Sequence, residues 1–436
     1  MIIVYTAEKN ITRLNYVAQH ILGNILGETF RITTLKEDFL QAGGVCINYS
    51  KESLAQGLQI IPHELLFETG VREIPDLEEY NWNGFFCFFK QEGGDIPFDL
   101  FSAAFYLLTS YEEYHSTRID KHDRFNVNAS LLYRNNALEI PLIDRWAYGL
   151  KAELEKKYLD FKCKLRKYRF ISTIDIDFPF MYRHKGIFKT AALTVLDLLK
   201  ANFKRAAERL GVVFRLMPDT YMHATMEIDE LHKKAGREYH LFVLLGRSGQ
   251  YGRNNDVSTI FYNKYLKNLK QATIGSHPSY DAFNNPQLME KEKKELEKML
   301  NRNVTACRRH FLRVVCPQSF REAAAAGFTD DFTLGFSKAP GFRSGTAVPY
   351  HFYDVEHDIQ TDLMIHPTIM MDTTLITHLN CNPEYALFKI KQLIDECKKS
   401  GGDFLSLWHN SNLAGKEDKA WKDVFSVSFD YAASLE

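Results

Sequence analysis

Two carboxylates one residue apart end the run Thr173, Ile174, Asp175, Ile176, Asp177. The run is rich in β-branched residues and reads as a strand, in which residues i and i+2 share a face. Both acids can therefore enter one pocket, where repulsion and burial drive their proton affinities apart. One can stay ionised on a metal while the other works as a base. The bland alternative is a capping or turn pair after a strand. Further along, ATIGSHPSY presents His277 after a short apolar run, with Pro278 fixing the backbone just beyond the imidazole. Near the end of the chain, FLSLWHNSN repeats the arrangement with His409 and its neighbour Asn410. A lone histidine is more often a satisfied structural residue than a ligand. Three strand ends carrying such groups are a different matter, since parallel sheets present catalytic side chains at the carboxyl ends of their strands.

The elements that must position these groups follow from periodicity. A strand (Ile2 to Tyr5), an amphipathic helix (Ile11 to Leu26) and two strands (Phe30 to Thr34, Gly44 to Tyr49) predict a small α/β unit. PFDLFSAAFYLLTSYEEY, from Pro97 to Tyr114, is apolar on most of its circumference and predicts a buried helix. A polar loop and a helix from Ile143 to Tyr158 lead to a boundary near residue 160. Beyond it, apolar runs at Tyr239 to Leu245, Ala272 to Gly275, Phe311 to Val315 and Phe404 to Trp408 alternate with helical stretches such as Asn285 to Leu300 and Pro383 to Lys399. That alternation predicts a barrel or wound sheet of parallel strands. Thr190 to Leu210 is amphipathic with Lys200, Lys204, Arg205 and Arg209 on one side. Packing on its own domain is the favoured reading, and weak contact with an anionic membrane surface is the other.

Bulk composition narrows the classes. At roughly 150 residues per domain, 436 residues predict two or three units, and two fit the pattern change best. Lys plus Arg (54) nearly cancel Asp plus Glu (55), which argues against a polyanion such as nucleic acid as partner. Seven scattered cysteines without a CxxC pair argue against a disulfide framework or thiolate zinc site. The N-terminus lacks a secretory pattern and no long apolar run follows, so the expected location is cytoplasmic.

The ordered set of motifs resembles the polysaccharide deacetylases, carbohydrate esterases built on a distorted (β/α) barrel. PFDLFSAAFYLLTSYEEY, KHDRF, IDIDFPFMYRHKG, IGSHPSY, RRHFLR, LGFSKAPGFRSGT, MDTTL and LWHN extend the likeness over nearly the whole chain, toward a bacterial two-domain subgroup. The resemblance implies an α/β domain at 1–160 and a deacetylase-type (β/α) barrel at 161–436. It implies Asp175 as general base, Asp177 and His277 as ligands of a divalent metal, zinc first, and His409 as general acid. The family's second metal histidine falls at Asp281, which is expected to supply an oxygen ligand instead. Arg309 or its rival Arg343 is expected to orient the base. Tyr280, Phe178 and Trp408 are expected to contact a carbohydrate substrate. The implied function is metal-dependent removal of acetyl groups from an N-acetylated sugar or polysaccharide precursor. The alternatives are hydrolysis of another C–N or ester bond, and a catalytically inactive carbohydrate-binding protein.

Overall fold

The computed structural model describes the chain apart from residues 75–76, 247–250, 252–259 and 415–418 and the side chains of 260–261. Four short strands, β1 (Ile2–Tyr5), β2 (Phe30–Thr33), β3 (Val45–Asn48) and β4 (Leu58–Gln59), form a parallel sheet in the order β2-β1-β3-β4. Ile2 and Val4 enter the main core, while Ile3 and Tyr5 pack on the other face with Phe39 and Cys46. Both faces are thus covered, as a parallel sheet requires. The helix expected over Ile11 to Leu26 is an α-helix, Thr12–Ala18, continued by a π-helical stretch, Gln19–Ile25. After a small ribbon of β5 (Tyr80–Trp82) and β6 (Phe85–Cys87) comes the helix Leu100–Leu108, buried at every residue. Asp99 caps it, accepting from the N–H groups of Phe101 and Ser102 at 3.1 Å each.

The larger sheet is built from β7 (Arg169–Ile176), β8 (Tyr239–Val243), β9 (Ala272–Ser276), β10 (Ala306–Cys307), β11 (Asp330–Asp331), β12 (Tyr350–Asp354), β13 (Ile359–Ile365), β14 (Met370–Met371) and β15 (Asp403–His409). Its order is β12-β13-β11-β10-β9-β8-β7-β15-β14, parallel except for the β12–β13 pair. β13 and β14 are successive pieces of one segment, and the first pairs with β11 while the second pairs with β15. Between them the N–H of Thr368 donates to Leu334 O and that of Ile369 to Leu405 O. A single stretch of chain therefore joins the two flanks of the sheet.

Alternation along these strands sorts the side chains. Ile174, Ile176, Leu241, Val243, Ile274, Cys307, Phe404 and Trp408 belong to the main apolar core. Ile171, Phe242, Ala306, Phe332 and Leu405 gather in a second, inner cluster. Asp175, Asp177, His277, Arg308, His310 and His409 stand at the parity of that inner cluster, toward the carboxyl ends of their strands. The strand expected over Phe311 to Val315 is absent. In its place a 3₁₀ turn, His310–Leu312, holds Phe311 and Leu312 at φ of 65° and 49°.

The two sheets share one buried cluster that runs from Ile2 to Ala432. Polar ties reinforce it: Arg13 Nε lies 2.6 Å from Asp358 Oδ1, and the Thr346 hydroxyl donates to Asp144 Oδ1 at 2.5 Å. Among the described residues no helix is long and apolar enough to cross a membrane.

Gly275 in β9 has no room for a side chain. A Cβ there comes within 2.7 Å of the Phe242 ring and 3.0 Å of Ala306 O. Gly275→Val is expected to destabilise the protein by about 1–3 kcal/mol through overpacking. Chemical denaturation checks this, and an unchanged midpoint is the contrary result.

Candidate metal centre

Four strand ends converge on one cavity of about 210 Å³, lined by Asp175, Asp177, His277, His310, Leu312, Met371, Leu407 and His409, among others. β7 delivers the two acids on one face, and the strand ends of β9, β10 and β15 deliver His277, His310 and His409. Asp177, His277 and His310 form a group whose ligand atoms all lie within 4.8 Å of one another. His277 Nε2 is 3.2 Å and His310 Nε2 3.6 Å from Asp177 Oδ1. Corners of a zinc tetrahedron with bonds near 2.0–2.1 Å are about 3.3 Å apart, so these separations suit a tetrahedral ion.

The tautomer of His277 makes the fit more specific. Its Nδ1 lies 2.5 Å from Arg308 O, and a carbonyl can only accept, so Nδ1 carries a proton and, in the neutral ring, Nε2 presents a lone pair. That lone pair faces the carboxylate oxygen Asp177 Oδ1. Both atoms are buried and neither has a hydrogen-bond partner. Two acceptors pressed together in the interior cost free energy unless a cation or proton lies between them. A donor set of one carboxylate and two imidazoles suits a divalent transition ion, with zinc a good match.

Two further pairs flank this centre. Arg308 Nη1 donates to Asp175 Oδ1 at 2.9 Å, while Asp175 Oδ2 points toward His277 Nε2 at 3.8 Å. Arg308 is itself buried and stacks 4.5 Å from the Phe242 ring centroid. On the other side Asp372, fully buried, takes His409 Nδ1 at 2.7 Å on one oxygen and the His409 backbone N–H at 2.7 Å on the other. His409 Nε2 is left facing Asp177 Oδ2 at 3.9 Å. Burial works against the His409 charge, but Asp372 first, then Asp177 and Asp175, push its pKa up to about 10. Burial also opposes ionisation of Asp177, yet His310, His277 and His409 hold its carboxyl well below the usual carboxylate range. A bound cation neutralises part of the Asp177 charge and draws the His409 value back down.

The expected residues divide. Asp175, Asp177, His277 and His409 share the cavity. Asp281 does not: it is exposed on the 3₁₀ turn Tyr280–Ala282, and the third member of the group with Asp177 and His277 is His310. Arg309 does not orient Asp175, because the odd parity in β10 turns it outward to Glu322 Oε2 at 3.0 Å and Ser319 O at 2.8 Å. Arg308, one residue earlier, takes the inward position. Arg343 pairs with Glu113 at 2.7 Å, away from the acids. Trp408 packs in the core against Phe425, since the alternation that aims His409 inward aims its neighbour at the helices. Tyr280 stacks on Arg313 and bonds His122 Nδ1 through its hydroxyl at 3.1 Å, and Phe178 offers its carbonyl to Asn410 Nδ2 at 3.1 Å; neither lines the cavity.

Four contributors escape the sequence reading: Arg308, His310, Asp372 and Arg124. The first two stand at i and i+2 in CRRHFLR, so the same alternation that linked the two acids carries their signal. Asp372 lies within MDTTL, without a spacing that marks it. Arg124 comes from the N-terminal part, pairs with Asp120 at 2.7 Å and donates to Phe311 O at 2.6 Å.

Comparisons with known proteins add little to this geometry. Residues 2–159 match the model of DUF7033, a family of unknown function. No curated protein matches the chain. Among solved structures, a provisionally described polysaccharide deacetylase from Mycobacterium smegmatis shares 12% identity over 60% of this chain and 84% of its own, with a TM-score of 0.39. The allantoinase PuuE shares 12% over 61% and 84%, at 0.40. BA3943, a CE4 family pseudoenzyme from Bacillus anthracis, shares 10% over 61% and 61%, at 0.30. Overlaps this distant carry no conclusion about activity, and the chemistry rests on the site itself.

Purified protein is expected to bind one zinc ion per chain in titration against a chelating indicator. His310→Ala should weaken binding by about tenfold or more, whereas Asp281→Ala should leave it unchanged. Because the ligands bind deprotonated, affinity should fall as pH drops through the imidazole range. Equal loss in both variants counts against the assignment of His310.

Proposed function

We propose that this chain is a metal-dependent hydrolase that removes acetyl groups from an N-acetylated sugar or polysaccharide precursor, its C-terminal sheet being a distorted barrel closed by the segment 359–371. The observation that carries the reading is the buried 3.2 Å contact of Asp177 Oδ1 with His277 Nε2, flanked by one held carboxylate and one held imidazole. A divalent ion at Asp177, His277 and His310 supplies Lewis-acid polarisation of an acyl oxygen and acidifies a water.

The protein's own groups do the rest. Asp175, tied through Oδ1 to Arg308, keeps Oδ2 free in the cavity to take a proton from the attacking water. Arg308 holds that carboxylate by a charge-assisted hydrogen bond and fixes its rotamer. His409, anchored through Nδ1 and charged, offers its Nε2 proton to the departing amine. Asp175 serves as the base and His409 as the acid in one cavity. Leu312, Met371 and Leu407 form a small apolar wall in the same cavity, of the size and character of an acetyl methyl. Ser337, Thr373, Ser411, Asn412 and Arg124 give it a polar rim that suits a polyhydroxylated substrate.

Acetate release from N-acetylated oligosaccharides tests the proposal. Asp175→Asn and His409→Gln should each lower kcat by about 10²- to 10⁴-fold with zinc still bound. Chelation should abolish turnover and added zinc restore it. With His409 acting as an acid, the rate falls as pH rises through its pKa; Asp372→Asn removes the leading charge that raises that pKa, so the alkaline limb should move to lower pH. Full activity in Asp175→Asn, or activity indifferent to chelation, sinks the reading.

A further inference from the structure

The chain between β7 and β8 has its polarity turned inside out. It folds as two helices, Ile187–Leu199 and Phe203–Val213, rather than one amphipathic helix packed on its own domain. In the first, of 13 residues, only Thr194 and Asp197 are buried. Asp197 pairs with Arg209 of the second helix, whose guanidinium also lies 5.1 Å from the Tyr182 ring centroid. The ion pair is inside and the large apolar side chains are outside: Ile187 is 85% exposed, Phe188 93%, Leu199 80%, Phe203 65%, Phe214 69% and Leu216 82%. Residues 187–217 hold twelve of the twenty-four large apolar side chains that are exposed among the described residues. Water-facing surfaces of monomers rarely carry an apolar patch of this kind without a partner.

Charge identifies the partner. Residues 183–217 carry eight Lys and Arg against two acids, in a chain whose total is 54 against 55. Asp197 is already matched by Arg209, and Glu208 accepts the Thr220 hydroxyl at 2.7 Å. Lys189, Lys200, Arg205 and Arg215 are exposed around the apolar tip. Two copies of this chain brought face to face here repel each other, and a neutral apolar partner leaves the cations unmatched. We propose that the helical pair 187–213, with the following turn to 217, seats in the headgroup region of an anionic lipid bilayer, the apolar tip entering the acyl boundary and the cations meeting lipid phosphates. The pair follows β7 in the chain, a few residues after Asp177. None of this depends on the hydrolase reading: lipid binding and acetate release fail or succeed separately.

Cosedimentation of the full chain with phosphatidylglycerol vesicles and with phosphatidylcholine vesicles tests it. The expected result is binding to the former that weakens with salt, and little binding to the latter. The variant Phe188→Ser/Leu199→Ser/Phe214→Ser, altered only at exposed positions, should lose about tenfold or more of the partitioning while zinc binding stays intact. Lys189→Ser/Lys200→Ser/Arg215→Ser should lose the preference for anionic vesicles. The proposal is overturned by wild-type protein that ignores both vesicles, by undiminished binding in the apolar variant, or by salt-independent binding to both lipids. It is equally overturned if light scattering finds a dimer that the apolar variant dissolves while vesicles capture nothing.

Discussion

Asp177 Oδ1 and His277 Nε2 stand 3.2 Å apart in the interior, and each presents a lone pair to the other. This holds for the neutral ring, whose proton is kept on the far nitrogen by Arg308 O. A fold tolerates such a contact only when something positive occupies it or when the surrounding structure compels it. Much of the surrounding structure does work toward that contact. Arg308 spends its carbonyl on His277 and its guanidinium on Asp175, so the one residue that follows β10 sets the orientation of groups from two other strands. Asp372 does the same for His409 through both of its oxygens. The carboxylates and imidazoles are thus arranged in hydrogen-bonded couples around the group Asp177, His277 and His310.

The alternation of strand side chains explains what the sequence reveals and where it misleads. β7 is long enough for period two to be read directly, and Asp175 and Asp177 follow from it, while His277 and His409 follow from their places just after the apolar runs of β9 and β15. β10 is two residues long, too short for any periodicity, and the reading of CRRHFLR therefore slipped by one. A slip of one residue in a strand reverses every side chain, which is why Arg309 lies among helix residues and Arg308 beside the acid. Asp281 illustrates a different failure. Its expected role came from a fixed spacing after His277, and spacing carries no information about a turn that swings the side chain into solvent. Asp372 had no local pattern to betray it, because its partner is thirty-seven residues away in a neighbouring strand.

The helical segment after β7 was legible as helix and illegible as surface. Its apolar and basic residues recur at spacings that suit an amphipathic helix, and the usual assumption turns the apolar stripe inward. Composition alone cannot say which side faces the protein. The buried Asp197–Arg209 pair decides it, since an ion pair between two helices occupies the space that leucines fill in an ordinary helix pair. Separating those charges in the interior is costly, so the pair also fixes which face of each helix looks outward.

The N-terminal part is joined to the metal centre by more than a shared core. His310 begins a turn in which Phe311 and Leu312 adopt left-handed backbone angles, a conformation that costs residues with side chains about 1–3 kcal/mol each. Isolated, that turn would relax and carry the imidazole with it. Arg124 donates to Phe311 O, and Arg313 Nε donates to His122 O at 2.8 Å, so the loop at 120–124 holds the turn at its middle and just beyond its end. Arg124 is in turn held by Asp120 through two nitrogens. The strain in the turn is supported from outside the larger sheet, and the aim of one of the three ligand side chains depends on a segment far earlier in the chain. The smaller α/β part therefore reaches the turn that carries His310, through Arg124 and His122.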